Sequence, residues 1–257
     1  MKKITYRSLI FLFITLTGFI IYLSIIGIKT DKFNNQISKE LKKKYPNLEL
    51  SLDKINIVLD PFNFQLNLKT IGASLKSKNK KISLESIKSN IHIRTFFNNE
   101  FSLTELDIST RSLEIKNFIS FIRMIQDNTQ LFILEKFIKK GYLIANINLK
   151  FDKNGKINND FFIKGSIKDA EIKPIKKFNF SKINFNFNID NKIYDFKDVK
   201  LSLNNTNLVF PTINIKREKN KFSINGKNQN KNISLNENQI IQFFENDFSL
   251  FKINNSK

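Results

Sequence analysis

Residues Asp53–Leu75 read DKINIVLDPFNFQLNLKTIGASL. Ile55, Ile57 and Leu59 alternate with polar neighbours, Asp60-Pro61 interrupts, and Phe64, Leu66 and Leu68 alternate again. Side chains along a strand point to opposite faces in turn, so an apolar residue at every second position marks one dry face and one wet face. Asp-Pro is a turn signal. The stretch predicts two strands that present their apolar residues to one surface.

The same period fills most of the chain. Leu48, Leu50 and Leu52 precede the quoted stretch, and KISLESIKSNIHIRT supplies Ile82, Leu84, Ile91 and Ile93. FSLTELDISTRSLEIKN adds Leu103, Leu106, Ile108, Leu113 and Ile115. The phase slips between Leu84 and Ile87 and between Leu103 and Leu106, which predicts bulges or breaks there. KSKNKK and Asn98-Asn99 read as turns. Further on, Leu143, Ala145, Ile147, Leu149 and Phe151 alternate up to a turn at Asn154-Gly155. Ile183, Phe185 and Phe187 alternate with Asn184, Asn186 and Asn188. Val199, Leu201 and Leu203, then Leu208 to Ile215, then Phe222 and Ile224 complete the series.

Helical spacing appears in three places. Phe33, Ile37 and Leu41 lie four apart in Asp31–Tyr45, and Pro46 stops the run. Asn117–Gly141 reads as two helices divided at Asp127-Asn128-Thr129, with Thr129 capping the second and Lys139-Lys140-Gly141 closing it. Ser234–Phe244 reads as a last short helix. The pattern as a whole reads as about ten strands, mostly antiparallel, with few helices. A plain β-sandwich buries such faces sheet on sheet, and alternation alone does not separate that core from a lined groove.

Leu9–Ile28, LIFLFITLTGFIIYLSIIGI, carries no charged residue. At about 1.5 Å per residue such a helix spans about 30 Å, the thickness of a hydrocarbon core. Lys2, Lys3 and Arg7 precede it, and no small-x-small cleavage site follows, so it reads as an uncleaved anchor with the N-terminus in the cytoplasm. The expected organisation is an anchor at 1–28, a juxtamembrane helix at 29–46 and a first β-segment at 47–116. A helical insertion at 117–141, a second β-segment at 142–226 and a C-terminal helix and tail at 227–257 follow.

The 257 residues suffice for one large domain or two small ones. The net charge is +20, almost all of it lysine; arginine stands only at positions 7, 94, 111, 123 and 217. Lysine, asparagine, isoleucine and phenylalanine together are the residues of AT-rich codons, so much of this charge reflects genome composition. Nucleic-acid binders cluster basic residues and favour arginine, whereas these lysines are scattered among strands and turns. Attraction to an anionic membrane surface fits the charge.

The residues that could carry chemistry are sparse. There is no cysteine, and His92 is the only histidine, between Ile91 and Ile93 on the polar side of its strand, so no zinc site can be built from Cys and His. Asp53 with Asp60, and Glu105 with Asp107, are strand neighbours that suit a wet face. The serines have no base to activate them, and GKINNDFFIKG lacks phosphate-loop spacing. The chain reads as a non-enzyme without cofactors.

NNQISKELKKKYP, LELSLDKINIVLDPFNFQLNLKTIGASL and KISLESIKSNIHIRTFFNNEFSLTELDISTRSLEIKN stand in that order after the anchor. A helix leading into a strand, a proline-containing link and a second strand, then an xIxxIxxxIxI strand and an LxxLxIxxxxLxIxN run, resembles the N-terminal module of the AsmA-like proteins. These are bacterial relatives of bridge-like lipid-transfer proteins. The resemblance covers about Lys29 to Asn117, and GSIKDAEIKPIKKFNFSKINFNFNI resembles later repeats more weakly. It rests on hydrophobic spacing with few fixed residues.

The resemblance implies a mainly β fold: a transmembrane helix followed by an elongated, curved, mostly antiparallel β-groove with a few short helices. The groove would project from the bacterial inner membrane into the periplasm and carry phospholipid acyl chains in envelope biogenesis. Its expected lining takes Ile55, Ile57, Leu66 and Leu68 from the first two strands, and Ile91, Ile93, Leu106 and Ile108 from the next two. Ile147, Leu149, Phe185, Phe187 and Leu201 continue it. Expected partners are phospholipid, the inner membrane and other envelope proteins, and not nucleic acid. Members of the family are much longer. About ten strands at roughly 4.8 Å spacing make only about 50 Å, so the chain would be a short member, a fragment or one segment of an assembly. The rival reading is an anchored scaffold with a closed β-core; a weaker one is a polyanion binder. An open apolar trough, a filled core or a basic stripe would favour each in turn.

Overall fold

The computed structural model describes residues 2–94, 103–125, 129–152, 158, 160–175, 178–204, 206–218 and 221–230. Helix α1 (Lys2–Ile25), strand β1 (Ile28–Thr30) and helix α2 (Asn34–Lys44) come first. Strands β2 (Glu49–Ser51), β3 (Ile55–Asp60), β4 (Gln65–Ile71), β5 (Ser74–Ser77), β6 (Lys80–His92), β7 (Leu103–Thr110) and β8 (Leu113–Glu114) follow. Helices α3 (Ile115–Ile125) and α4 (Thr129–Phe137) lead into β9 (Ile138–Lys150), β10 (Phe162–Ile175), β11 (Phe178–Ile189), β12 (Ile193–Leu203), β13 (Thr206–Glu218) and β14 (Lys221–Lys227).

Among the described residues fourteen strands join one sheet, whose main path is β1-β3-β4-β6-β7-β9-β10-β11-β12-β13-β14. Every pairing is antiparallel. The protein is mainly β, a single curved, open antiparallel sheet with a few helices and an N-terminal apolar helix. The strand number exceeds the ten or so expected because β1 and β8, with three and two residues, are too short to show alternation. In β10 the apolar positions Ile167, Ala170 and Ile172 change phase at register shifts, which hid that strand.

The turn after Asp60 folds as its sequence indicates. The Asp60 carboxylate accepts hydrogen bonds from the Asn63 backbone N–H (3.1 Å) and from Asn63 Nδ2 (2.8 Å). Those bonds, the side-chain one foremost, hold its carboxyl below the usual aspartate range. The strands then zip in register, with Ile57 opposite Leu68 and Leu59 opposite Leu66. The phase slips in β6 and β7 also appear, as register shifts beside Leu84 and between Asn90 and Ile91.

Curvature has a local cause. Asp169, Lys182 and Asp198, on the neighbouring strands β10, β11 and β12, have φ of 51°, 50° and 55°, and the pairing shifts at each. A bulge adds one residue to one strand and increases the local twist. The asparagines of β11 brace two of these bulges. The Asn184 side-chain oxygen accepts from the Asp169 N–H at 3.1 Å, and Asn186 Nδ2 donates to Asp198 Oδ2 at 3.2 Å.

Helix α1 holds a segment, Tyr6–Ile25, of mean hydropathy 2.3 that is long and apolar enough to cross a membrane. Three of its hydroxyls are satisfied inside the helix, as suits an apolar surrounding: Thr15, Thr17 and Ser24 donate to the carbonyls of Phe11, Phe13 and Ile20. The helix ends three residues before the expected Ile28. Gly27 turns the chain at φ 70°, where a Cβ would lie 2.4 Å from the Ile57 carbonyl oxygen, and Ile28 pairs with Ile57 instead. The intact chain should stay with membranes through high-salt and alkaline washes, and removal of residues 1–28 should release it to the soluble or aggregated fraction.

The expected helix end at Lys139-Lys140-Gly141 is not where the helix stops. Helix α4 finishes at Phe137, and pairing of Ile138 with Ile172 and of Lys140 with Glu171 draws these residues into β9. The expected turns at Asn98-Asn99 and Asn154-Gly155, the division at Asp127-Asn128 and the helix at Ser234–Phe244 lie outside the described residues.

Candidate binding groove

The cross-strand register decides which side chains share a face. Thr30, Ile55, Thr70, Ile87, Ile108 and Ile147 are partners in succession from β1 to β9. Ile163, Ile189, Tyr194, Ile215 and Ile224 extend the same row from β10 to β14. One mainly apolar row therefore crosses all eleven strands of the main path. A second row beside it joins Ile28, Ile57, Leu68, Ser89, Leu106 and Leu149. A third joins Leu59, Leu66 and Ile91.

Twelve of the thirteen residues picked from the sequence belong to this face. The first three strands of the path after β1 supply Ile55, Ile57, Leu66, Leu68 and Ile91, and the next two supply Leu106, Ile108, Ile147 and Leu149. Phe187 joins it in a buried cluster against which Phe185 and Leu201 pack, as do Ile163, Ile167 and Ile189. Ile93 is the exception: it lies past the end of β6 in a turn, where its N–H donates to the Phe64 carbonyl at 2.8 Å. Ile87, Ile163, Ile189 and Ile215 were missed, although they stand in the long row. Their membership depends on which residue faces which across a bulge, and no single strand reveals that.

Helix α3 divides the face into two parts. Ile115 and Ile119 pack with Ile138, Leu143, Ala145, Ala170, Ile183 and Phe187 in one buried cluster. Phe121 of the same helix packs with Leu48, Ala73, Ile82 and Leu84 in a second, and Phe118 touches both. The Phe185 ring meets Phe196 edge-on at 5.5 Å and Phe187 at 6.2 Å. This part is a packed core. Ile57, Leu66, Leu68, Leu106 and Leu149 belong to neither cluster and remain half-buried. They form an apolar strip that no described element covers, about 19 Å across its five strands at roughly 4.8 Å spacing.

A charged lock holds the helices in place. Lys80 Nζ contacts Ser120 Oγ, and the Arg123 guanidinium pairs with Glu135. The bond from Arg123, with help from Ser120, keeps the Glu135 carboxyl below the usual glutamate range despite its partial burial. Arg123 and Lys136 both stack over the Phe132 ring, at 4.8 and 4.4 Å.

The opposite face is polar. Asn148 Nδ2 donates to Glu105 Oε1 at 2.6 Å and to Asp107 Oδ1 at 2.7 Å, so the two carboxylates noted in the sequence are bridged by an amide. Two lysines here stand opposite carboxylates: Lys88 faces Asp107 on one side and Lys69 on the other, and Lys150 faces Glu105 and bonds Asp160 at 2.9 Å. A depression of about 430 Å³ on this side is lined mainly by polar residues, among them Asn67, Lys69, Lys88, Asn90 and Asp107, together with Val58 and Leu68. His92, half-buried, lies 3.4 Å from the Gln65 amide through Nδ1.

Comparison with protein-family models found no match, and comparisons with curated proteins and with solved structures found none either.

Proposed function

We propose that this chain is a membrane-anchored β-groove that binds phospholipid acyl chains along its uncovered apolar strip and conducts them away from the bilayer. The observation that carries this reading is the row of mainly apolar partners from β1 to β14, which begins beside the end of α1. A soluble sheet normally buries such a face against a second layer. Here α3 covers one side of it, and Ile57, Leu68, Leu106 and Leu149 stay half-buried. Hydrocarbon is a fitting cover. Each CH₂ removed from water contributes about 0.8 kcal/mol, yet a lipid tail is about as apolar as leucine, so exchange between bilayer and strip is close to neutral. A near-neutral exchange suits a conduit better than a trap.

On this reading the chain acts without chemistry on the periplasmic side of a bacterial inner membrane, in envelope biogenesis, with phospholipid as its ligand. The carboxylates of Glu105 and Asp107 facing Lys150 and Lys88 on the polar face support that over a polyanion surface. The closed scaffold has one observation in its favour, the two packed clusters under α3.

The test is lipid content. Full-length protein purified in mild detergent, then extracted and analysed by mass spectrometry, should carry phospholipid at a fixed ratio to protein. A preparation free of lipid after gentle extraction would leave the scaffold as the better account.

A further inference from the structure

The tip of the β3–β4 hairpin places two large aromatic rings in the open. Phe62 is 93% exposed and Phe64 60%. Phe64 has φ 51°, a conformation that bulky residues seldom adopt. The tip is nonetheless well tied: Asp60 holds Asn63 twice, and the Phe64 carbonyl accepts from the Ile93 N–H at 2.8 Å. An ordered turn that aims apolar rings at solvent asks for a partner.

The register says where the rings point. Strands β1 and β3 are antiparallel with Ile28 opposite Ile57, so the residues before Ile28 run beside the residues after Ile57. Gly27 confirms the approach, since a Cβ there would meet the Ile57 oxygen at 2.4 Å and Val58 Cγ2 at 2.9 Å. The hairpin tip therefore projects toward the side from which α1 arrives. Ile25 and Ile26, at the end of the apolar helix, are 76% and 59% exposed. The end of the strip marked by Leu59 and Leu66 lies on that side too, because both flank the tip.

We infer that the Asp60–Phe64 tip is a second membrane contact: Phe62 and Phe64 enter the interfacial region of the bilayer beside the end of α1. Aromatic and other apolar side chains settle there readily. One span fixes the chain to the membrane but leaves it free to swing. A second contact at the hairpin orients the sheet and holds the uncovered end of its apolar face against the lipid. This deepens the lipid-groove reading and rests on it only for that last consequence.

The chain has no tryptophan, so Phe62→Trp introduces a single indole reporter into the full-length protein. In phosphatidylcholine vesicles its emission should be blue-shifted, quenched by lipids brominated near the headgroup, and protected from aqueous iodide. Ile71→Trp, at the opposite end of β4 and itself 59% exposed, is the control and should respond to iodide alone. Phe62→Trp combined with Leu106→Asp separates the two readings. Persistent lipid quenching, with groove-bound lipid gone, places the ring in the bilayer. Quenching lost together with the bound lipid would mean that the ring touched cargo, and would overturn the inference. So would an indole at position 62 as open to iodide as the control.

Discussion

Full-length protein carrying Leu106→Asp or Leu149→Asp is expected to lose its co-purifying phospholipid while keeping a melting curve close to wild type. The two leucines are direct partners on β7 and β9, half-buried, and outside both packed clusters. A carboxylate there reaches water across the open side of the strip, so the fold loses only about 1 kcal/mol of partial leucine burial. A bound acyl chain has no such relief. It must lie against an ion or leave it exposed to hydrocarbon, at several kcal/mol, and each 1.4 kcal/mol is about tenfold in occupancy. Lipid content should fall about a hundredfold.

Phe185→Asp is the contrasting variant, because the same face is packed there. The Phe185 ring sits among Phe187, Phe196 and the cluster built on Ile115 and Ile119. Replacing it removes a large, half-buried side chain packed against that cluster and sets a charge among its rings, together about 3 kcal/mol or more. That variant should unfold or melt far lower. Lipid content and thermal midpoint, measured side by side in the same detergent, decide the matter. Unfolding of all three variants alike would mean that the whole face is a closed core and would favour the scaffold. Unaltered lipid in Leu106→Asp would move the binding site elsewhere.

This division was only half legible in the sequence. Period-two alternation identified the strands and the dry side of each, because that side is imposed residue by residue through the pleat. Twelve of thirteen chosen residues fall on one face for that reason. Ile93 lies outside that face because alternation in the sequence continues past His92, where β6 ends and a turn begins. What covers the face was not legible. Phe118, Phe121 and Ile122 announce an apolar helix side, but nothing local says that this side folds back over Leu84, Leu143 and Ile183. The same holds for Phe64, which reads as an ordinary strand residue until the register turns the hairpin tip toward the end of α1. The bulges at Asp169, Lys182 and Asp198 are equally hidden, because aspartate and lysine are common residues that do not by themselves mark a positive φ.

Gly141 shows the same limit from the other direction, and its replacement should have the largest effect on the fold. The sequence suggests a helix cap, yet the residue lies inside β9 with φ 133°. A Cβ there would stand 2.7 Å from both Cα and Cβ of Ala170 and 2.9 Å from Ile115 Cδ1. Two of those three atoms cannot swing aside, since Ala170 is fixed by its own pairing with Ile183 on β11. Gly141 is thus the place where β9, β10 and α3 meet with no room between them. Valine adds two penalties, about 1–3 kcal/mol for the forbidden backbone region and about 1–3 kcal/mol for overpacking. Their sum approaches a large part of the 5–15 kcal/mol that holds a typical domain together. Gly72→Ala isolates the backbone share, because Gly72 has φ 74° but nothing within 4 Å of its Cβ position; that variant should lose only about 1–2 kcal/mol. Circular-dichroism melts of both variants in one detergent should show Gly141→Val melting far below Gly72→Ala, or failing to fold. Equal midpoints would mean that α3 does not press on the sheet at Ile115, and the packed half of the face would then be as open as the strip beside it.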